Sequence, residues 1–159
     1  YRIGQNGKKF KFSKFRSMKH NTHHLRYGEL AEKNHRKGPL IKIKNDPRGT
    51  RVGRFLRAWS IDELPELFLV WLGRMSLVGP RPHEPEEVAR YSPSQRHVLM
   101  IKPGITGMAQ TSGRSSLSFE EEIRLDTWYI ENWSLGLDLF LLLKTPFVVV
   151  THRGVEEGV

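Results

Sequence analysis

Residues 55–82 read FLRAWSIDELPELFLVWLGRMSLVGPRP, and the rest of this 159-residue chain is organised around them. Two adjacent carboxylates, Asp62 and Glu63, stand in this stretch between Arg57 and Arg81. An apolar segment joins the acidic pair to a Gly-Pro-Arg-Pro turn, in which two prolines restrict the backbone around Arg81. Carboxylates beside cations and a rigid turn indicate chemistry on a charged substrate, and phosphate is the obvious candidate.

The acidic pair is also expected to start a helix. Ser60 with Glu63 matches a capping box, but Pro65 favours Asp62 as the N-cap, because proline is tolerated where backbone N–H groups have no intrahelical partner. An anion at a helix N-terminus is stabilised, so Asp62 is expected to be ionised. Gly73 is expected to end the helix. One helix face is expected to be buried, formed by Leu64, Leu67, Phe68, Val70, Trp71 and Leu72.

Composition restricts the class of protein. A chain of 159 residues fits one domain, which we take as residues 1–159. The absence of cysteine excludes disulfides and thiolate metal sites. Residues 1–54 carry 16 Lys and Arg against 3 Asp and Glu, whereas residues 55–159 carry 10 against 14. A basic N-terminal third predicts an anionic partner, such as nucleic acid, phosphate headgroups or a polyanionic small substrate.

The remaining patterns predict a mixed α/β (α+β) fold in which helices dominate. An Asn6-Gly7 turn indicates a short N-terminal β-hairpin, and basic and aromatic residues alternate over 9–16, as in a strand. Ser118 with Glu121 predicts a capped helix. No stretch is long and apolar enough to span a bilayer, and the most apolar run, 135–150, is broken by charges and Pro146. That run fits a core helix and a helix at the membrane interface equally well.

Five motifs occur in one order along the chain. They are KFRSM at 14–18, LR…SIDELP at 56–65, MSLVGPRP at 75–82, KPGITGMAQ at 102–110 and GR at 113–114. Together they resemble the catalytic domain of the bacterial sugar transferases, the monotopic polyprenol-phosphate phosphoglycosyl transferases, over about residues 2–151. Two features depart from that family: Arg74 stands where an acidic residue commonly precedes Met-Ser, and the family's N-terminal re-entrant membrane helix has no counterpart in the sequence.

The resemblance implies transfer of a phosphosugar from a nucleoside diphosphate sugar, a UDP-sugar above all, to polyprenol phosphate. This would be the first membrane step in making an exopolysaccharide, capsule, O-antigen or glycoprotein glycan. The resemblance further implies that Asp62 is the nucleophile and forms a covalent phosphosugar intermediate, while Glu63 assists removal of a proton from the acceptor. It also implies Mg²⁺ bound by Asp62 and bridging to the diphosphate.

Five further residues are implied to bind substrate. Four are cations that match the family's motifs and bind phosphates or the nucleotide: Lys14, Arg57, Arg81 and Arg114. The fifth, Asp126, matches another acidic position of the family. The same resemblance implies a location at the cytoplasmic face of the bacterial inner membrane, where the basic N-terminal third would face anionic headgroups.

A nucleic-acid-binding module is the alternative hypothesis. The sequence pI of about 10.0 and the aromatic residues Phe10, Phe12 and Phe15 between cations are typical of proteins that stack bases of single strands. Against this hypothesis, the excess of positive charge ends near Arg57, and it does not account for the carboxylate pair.

Overall fold

The structure, a computed structural model, describes residues 1–34, 38–43 and 45–151. Strands β1 (Arg2–Ile3) and β2 (Lys9–Phe10) pair antiparallel, whereas β3 (Ser76–Val78) and β4 (Gly104–Thr106) pair in parallel. The α-helices are α1 (Arg51–Ala58), α2 (Glu66–Trp71), α3 (Pro85–Val88), α4 (Met108–Ser112), α5 (Phe119–Glu131) and α6 (Leu135–Val150). Short 3-10 turns join them, including Ile61–Glu63 and Arg114–Ser116. The predicted mixed α/β fold with dominant helices is confirmed.

The predicted N-terminal hairpin is present, but its second strand is shorter than expected. Asn6 and Gly7 have φ angles of +56° and +74°, as the Asn-Gly turn requires. Only Lys9 and Phe10 pair with β1, so the strand predicted over 9–16 is wrong beyond Phe10. The chain leaves the sheet there because its next backbone contact lies elsewhere: the Phe15 N–H donates to the Asp62 carbonyl at 3.0 Å.

The acidic pair lies in a 3-10 turn before α2 rather than in the cap of that helix. Ser60 adopts a left-handed conformation with φ +54°, and its side chain makes no capping hydrogen bond. Pro65 is the residue that precedes α2. The predicted capping role of Asp62 is therefore wrong. The expected stop at Gly73 is confirmed, since α2 ends at Trp71 and Gly73 has φ +70°.

Helix α2 exposes most of the apolar residues that were expected to be buried. Its core contact is Leu69, which packs in one cluster with Phe10 and Met75. The opposite side of α2 and of the turn before it is solvent-exposed, and we call it the α2 apolar face: Leu64, Leu67, Phe68, Trp71 and Leu72. Trp71 is 77% exposed. A six-residue helix has room for only one narrow face that packs against the core, and in α2 the apolar residue on that face is Leu69.

Close backbone contacts hold the turn that contains Arg81. Gly79 N–H donates to the Thr106 carbonyl and Gly104 N–H to the Pro80 carbonyl, both at 2.9 Å. A Cβ added at Gly104 would lie 2.1 Å from the Gly79 nitrogen, so this parallel pairing requires glycine. On its far side the turn is tied to β1, where Ile3 N–H donates to the His83 carbonyl at 3.0 Å.

Helices α5 and α6 pack against the elements next to this turn, α5 against α4, and α6 against α4 and the β3–β4 pair. Ser118 caps α5 through the predicted capping box with Glu121. Helix α6 runs through Pro146 without the predicted break, and it buries Leu141 and Val148. Its other side carries an exposed stripe at four-residue spacing, the α6 apolar stripe: Leu135, Leu139, Leu143 and Phe147. Among the described residues, no helix has the length and apolar character needed to cross a membrane.

Candidate active site

Lys14 lies among three carboxylates at the centre of the site. Its Nζ is 2.8 Å from Glu63 Oε1, 3.6 Å from Glu66 Oε1 and 3.9 Å from Asp62 Oδ2. The hydrogen bond from Phe15 N–H to the Asp62 carbonyl brings the two segments together, and so places Lys14 beside the acidic turn. Asp62 and Glu66 are 5% and 3% exposed, so the group is largely shielded from water.

The three carboxylates differ in their proton affinity. Burial raises the pKa of Asp62, and the Lys14 ammonium only partly offsets this effect. Burial would also raise the pKa of Glu63, but Arg81 and Lys14 outweigh it and hold the pKa at about 2. Burial and the charge of Glu63 raise the pKa of Glu66 to about 7. One member is thus firmly ionised, while another titrates near neutrality.

Arg81 presents its guanidinium to this group from the Gly-Pro-Arg-Pro turn. Its Nη2 donates to Glu63 Oε1 at 3.0 Å, and the Glu63 carboxylate raises the pKa of Arg81. Glu63 therefore binds Lys14 and Arg81 through the same oxygen. This shared contact holds two cations beside the acidic turn.

Arg57 and Arg114 bring two more cations to the same cavity. Arg57 comes from the last turn of α1, and Arg114, with φ +49°, from the 3-10 turn after α4. Arg114 Nη2 donates to Ser60 Oγ at 2.8 Å, which is why the Ser60 hydroxyl does not cap a helix. Desolvation by burial lowers the pKa of both guanidiniums. Arg57 Nε and Arg114 Nη1 are buried and have no hydrogen-bond partner within the described part of the chain.

The cavity has a volume of about 370 Å³ and takes residues from every third of the chain. Six of the seven predicted site residues line it: Lys14, Arg57, Asp62, Glu63, Arg81 and Arg114. One wall is formed by the chain around Leu40–Ile43. Arg26 ties this wall to α3, because it donates to Glu84 and Glu87 at 2.7 Å each and to the Ile41 carbonyl at 2.9 Å.

Asp126 lies behind the cavity rather than in its lining. It is 1% exposed, and burial, reinforced by Glu122, raises its pKa well above the ordinary value. Its carboxylate accepts backbone hydrogen bonds from Ala109, at 3.4 Å, and from Arg81. Through these two bonds Asp126 positions both the start of α4 and the turn that carries Arg81.

Glu66 and Gln110 are among the lining residues that were not predicted as site residues. Glu66 follows Asp62 by four residues, and helical spacing places such residues on one face, so this signal was present in the sequence. Gln110 ends the KPGITGMAQ motif at 102–110, which carried the family resemblance but from which no site residue was predicted. The Glu66 Oε1 atom and both amide atoms of Gln110 are buried without a hydrogen-bond partner among the described residues.

The carboxylates fit a divalent cation that prefers oxygen ligands. Asp62 and Glu66 supply buried oxygens, and Glu66 Oε1 has no hydrogen-bond partner in the described structure. The described residues contain no group of three or more His, Cys, Asp or Glu side chains arranged to hold a metal by themselves. This donor set therefore suits Mg²⁺ bound by one or two carboxylates together with substrate phosphates.

The aromatic residues invoked for nucleic-acid binding do not form one exposed platform. Phe10 is buried with Leu69 and Met75, and Phe12 packs against that cluster. Only Phe15 of the three is exposed, at 50%. Stacking of successive bases needs several accessible rings, so the observed packing disfavours the alternative hypothesis.

Comparison with known proteins identifies similar chains. The model of a family described as "Bacterial sugar transferase" matches residues 1–152. The chain is 45% identical over 161 residues to a UDP-galactose-lipid carrier transferase of Erwinia amylovora, covering 96% of this chain and 33% of that protein. It is 44% identical over 156 residues to an undecaprenyl-phosphate galactose phosphotransferase of Salmonella typhimurium, with coverage of 96% and 33%. It is 40% identical over 161 residues to the exopolysaccharide production protein ExoY of Rhizobium meliloti, covering 96% of this chain and 69% of that protein. The chain spans about a third of the length of the first two relatives.

Glu66 should make the stability of the protein depend on pH. Its folded-state pKa of about 7 lies above the ordinary value of 4.5, so the folded chain binds the proton more tightly. This contribution to stability is complete below about pH 4.5 and is lost as the pH rises through about 7. Glu66→Gln stays uncharged. As the pH rises from about 4.5 through about 7, its free energy of unfolding should therefore increase relative to that of the wild type, by at most about 3 kcal/mol. Urea unfolding at about pH 4.5 and about pH 8 measures this difference.

Glu86→Gln is the matched control for that experiment, because Glu86 is an exposed glutamate of α3. Its stability relative to the wild type should change little between the two pH values. If Glu66→Gln behaves like this control, the proposed titration of Glu66 is wrong.

Proposed function

The chain belongs to the bacterial sugar transferase family, and we propose that it transfers a phosphosugar from a UDP-sugar to polyprenol phosphate and releases UMP. The observation that carries this proposal is the buried Asp62 carboxylate, which shares one cavity with Lys14, Arg57, Arg81 and Arg114. A nucleophile beside several fixed cations suits attack on a diphosphate, whose negative charge those cations offset. The reaction would begin the assembly of a lipid-linked glycan, as in exopolysaccharide biosynthesis.

In the first step, an oxygen of Asp62 attacks the phosphorus that carries the sugar. A bond forms between this oxygen and phosphorus, the bond from phosphorus to the bridging oxygen breaks, and UMP leaves with that oxygen. Burial favours this role, because a carboxylate with few hydrogen-bond donors is a stronger nucleophile than a solvated one. Arg57 and Arg114 have unpaired buried N–H groups, which suit them to bind the diphosphate oxygens.

In the second step, an oxygen of polyprenol phosphate attacks the same phosphorus, and the Asp62 carboxylate leaves. A phosphate monoester has a second pKa of about 6, so part of the acceptor carries a proton near neutral pH. Glu63 was expected to assist removal of this proton, but a carboxylate with a pKa of about 2 accepts protons poorly. Glu66, whose pKa is about 7, is better matched to that task, while Glu63 holds Lys14 and Arg81 in place.

Mg²⁺ is the proposed cofactor, with Asp62 as its predicted protein ligand. When bound, the ion would offset the charge that develops on the diphosphate.

An anionic membrane surface is the proposed partner of the protein. The α2 apolar face and the α6 apolar stripe leave large side chains in water, among them Trp71 at 77% and Leu143 at 80% exposed. Burial of such side chains in the lipid interface is favourable, and the basic N-terminal third adds attraction to anionic headgroups. A polyprenol acceptor requires this location, and a nucleotide-activated donor puts the reaction on the cytoplasmic face.

Asp62→Asn should abolish transfer while the chain stays folded. The amide keeps the size of the side chain but is a far weaker nucleophile, so turnover should fall by at least ~10³-fold. The measurement is UMP release from a panel of UDP-sugars with polyprenol phosphate and Mg²⁺, with circular dichroism to monitor folding. Glu120→Gln, an exposed carboxylate in the first turn of α5, is the control and should retain wild-type activity. Release of UMP by Asp62→Asn at the wild-type rate would contradict the role of Asp62.

Trp71→Ala with Leu143→Ala should weaken membrane binding by at least about tenfold, because each side chain contributes about 1.5–3 kcal/mol when it is buried in the interface. Co-sedimentation with vesicles of phosphatidylethanolamine and phosphatidylglycerol measures the partition. Tyr1→Ala removes an exposed aromatic residue of the hairpin and serves as the control. Binding that is unchanged in the double variant but disappears in high salt would show a purely electrostatic association, against the proposed role of the two apolar surfaces.

A further inference from the structure

Buried side-chain atoms that lack hydrogen bonds are concentrated at one place in this protein. Four residues that line the cavity contribute such atoms: Arg57, Glu66, Gln110 and Arg114. Elsewhere in the described chain, only His97 has one. A buried polar atom without a partner destabilises the folded state, because its hydrogen bonds to water are lost and not replaced. Their concentration around one cavity indicates that a ligand supplies the missing partners.

Gln110 differs from the other three residues in chemistry. Arg57 and Arg114 are cations, and their N–H groups without hydrogen bonds suit phosphate oxygens. Glu66 is a carboxylate, and its oxygen without a hydrogen bond suits a cation. The Gln110 amide is neutral, and both its Oε1 and its Nε2 are buried without a partner. Either orientation of the amide therefore presents one acceptor and one NH₂ donor to the cavity. A phosphate group, which only accepts hydrogen bonds when ionised, would satisfy half of this pair.

We propose that Gln110 binds a neutral group of the nucleotide-sugar donor that both donates and accepts hydrogen bonds, either hydroxyls of the sugar or an edge of the base. This inference rests on the proposed function and adds a recognition residue to it. Sugar hydroxyls and the uracil edge share the required chemistry. Cations that bind the phosphates distinguish poorly between sugars or bases, whereas a neutral residue that donates and accepts hydrogen bonds can make that selection.

The backbone around Gln110 is fixed as a recognition residue requires. Ala109 N–H donates to the buried carboxylate of Asp126 at 3.4 Å, and the Thr111 hydroxyl donates to the Gly107 carbonyl at 3.0 Å. A Cβ added at Gly107 would lie 2.7 Å from Gln110 Oε1, so the amide packs directly over this glycine. A side chain held in this way loses little further conformational freedom when a ligand binds.

The experiment compares wild-type protein with Gln110→Ala, Gln110→Glu and the control Gln5→Ala. Gln5 is an exposed glutamine whose amide donates to the Met100 carbonyl, outside the cavity. Two quantities are measured: kcat/KM for UDP-glucose and UDP-galactose from UMP release, and the inhibition constant of UMP, which has the base and a phosphate but lacks the sugar.

The expected result is a loss of about tenfold or more in kcat/KM for Gln110→Ala, with Gln5→Ala unchanged. Gln110→Glu keeps the shape and the acceptor but loses the donor, so it should also be impaired, and it replaces Gln110→Ala if that variant fails to fold. An unchanged UMP inhibition constant assigns the contact to the sugar, whereas an increase of similar size assigns it to the base. If kcat/KM for both donors stays within about twofold of the wild type in both Gln110 variants, the inference is overturned.

Failure of the proposed function gives a different result. A wild-type chain that releases no UMP, and that binds no UDP-sugar by calorimetry, contradicts the proposed function and this inference together. A wild-type chain that releases UMP, while both Gln110 variants match it, contradicts the role of Gln110 alone.

Discussion

The ion pairs of Lys14 with the acidic turn are the contacts on which the rest of the site depends. Three carboxylates that lie within 4 Å of one ammonium would repel each other in a cavity shielded from water. Lys14 reduces this repulsion, and Arg81 adds a second positive charge through Glu63. Neither cation belongs to the segment that carries the carboxylates, so contacts with the N-terminal segment and with the Arg81 turn both stabilise the turn at Ile61–Glu63.

The rigid part of the protein is the support behind these charges. The parallel pair β3–β4, its glycine contacts and the buried carboxylate of Asp126 fix the backbone of Arg81 from one side, and β1 fixes it from the other. The wall at residues 40–43 is held by the Asn34 amide, which bonds with Leu40 and Lys42, by the Arg26 guanidinium and by burial of Leu40 in the core. A preorganised set of cations needs no rearrangement when a diphosphate enters, which is the condition for strong electrostatic stabilisation of a reacting phosphoryl group.

Much of this architecture was accessible from the sequence, and the errors have physical causes. The turn at Asn6-Gly7, the cap at Ser118 and the end of α2 at Gly73 were predictable, because each depends on local chemistry. The burial of α2 was predicted wrongly, since an apolar pattern states which side chains avoid water but not whether protein or lipid covers them. The cap at Asp62 failed because this residue lies inside a 3-10 turn that precedes Pro65 and α2, where its carboxylate is 3.9 Å from the distant Lys14. The raised pKa of Glu66 likewise arises from burial and charges that only the folded chain brings together.

The covalent bond between Asp62 and the phosphosugar is the central step of the proposed reaction. The most direct test is intact-protein mass spectrometry of the chain after incubation with a UDP-sugar and Mg²⁺ in the absence of polyprenol phosphate, followed by peptide mapping. The predicted result is a mass increase equal to one phosphosugar, located on the peptide that contains Asp62, which disappears when polyprenol phosphate is added. Turnover that proceeds without any such adduct, or an adduct on another residue, would contradict the account.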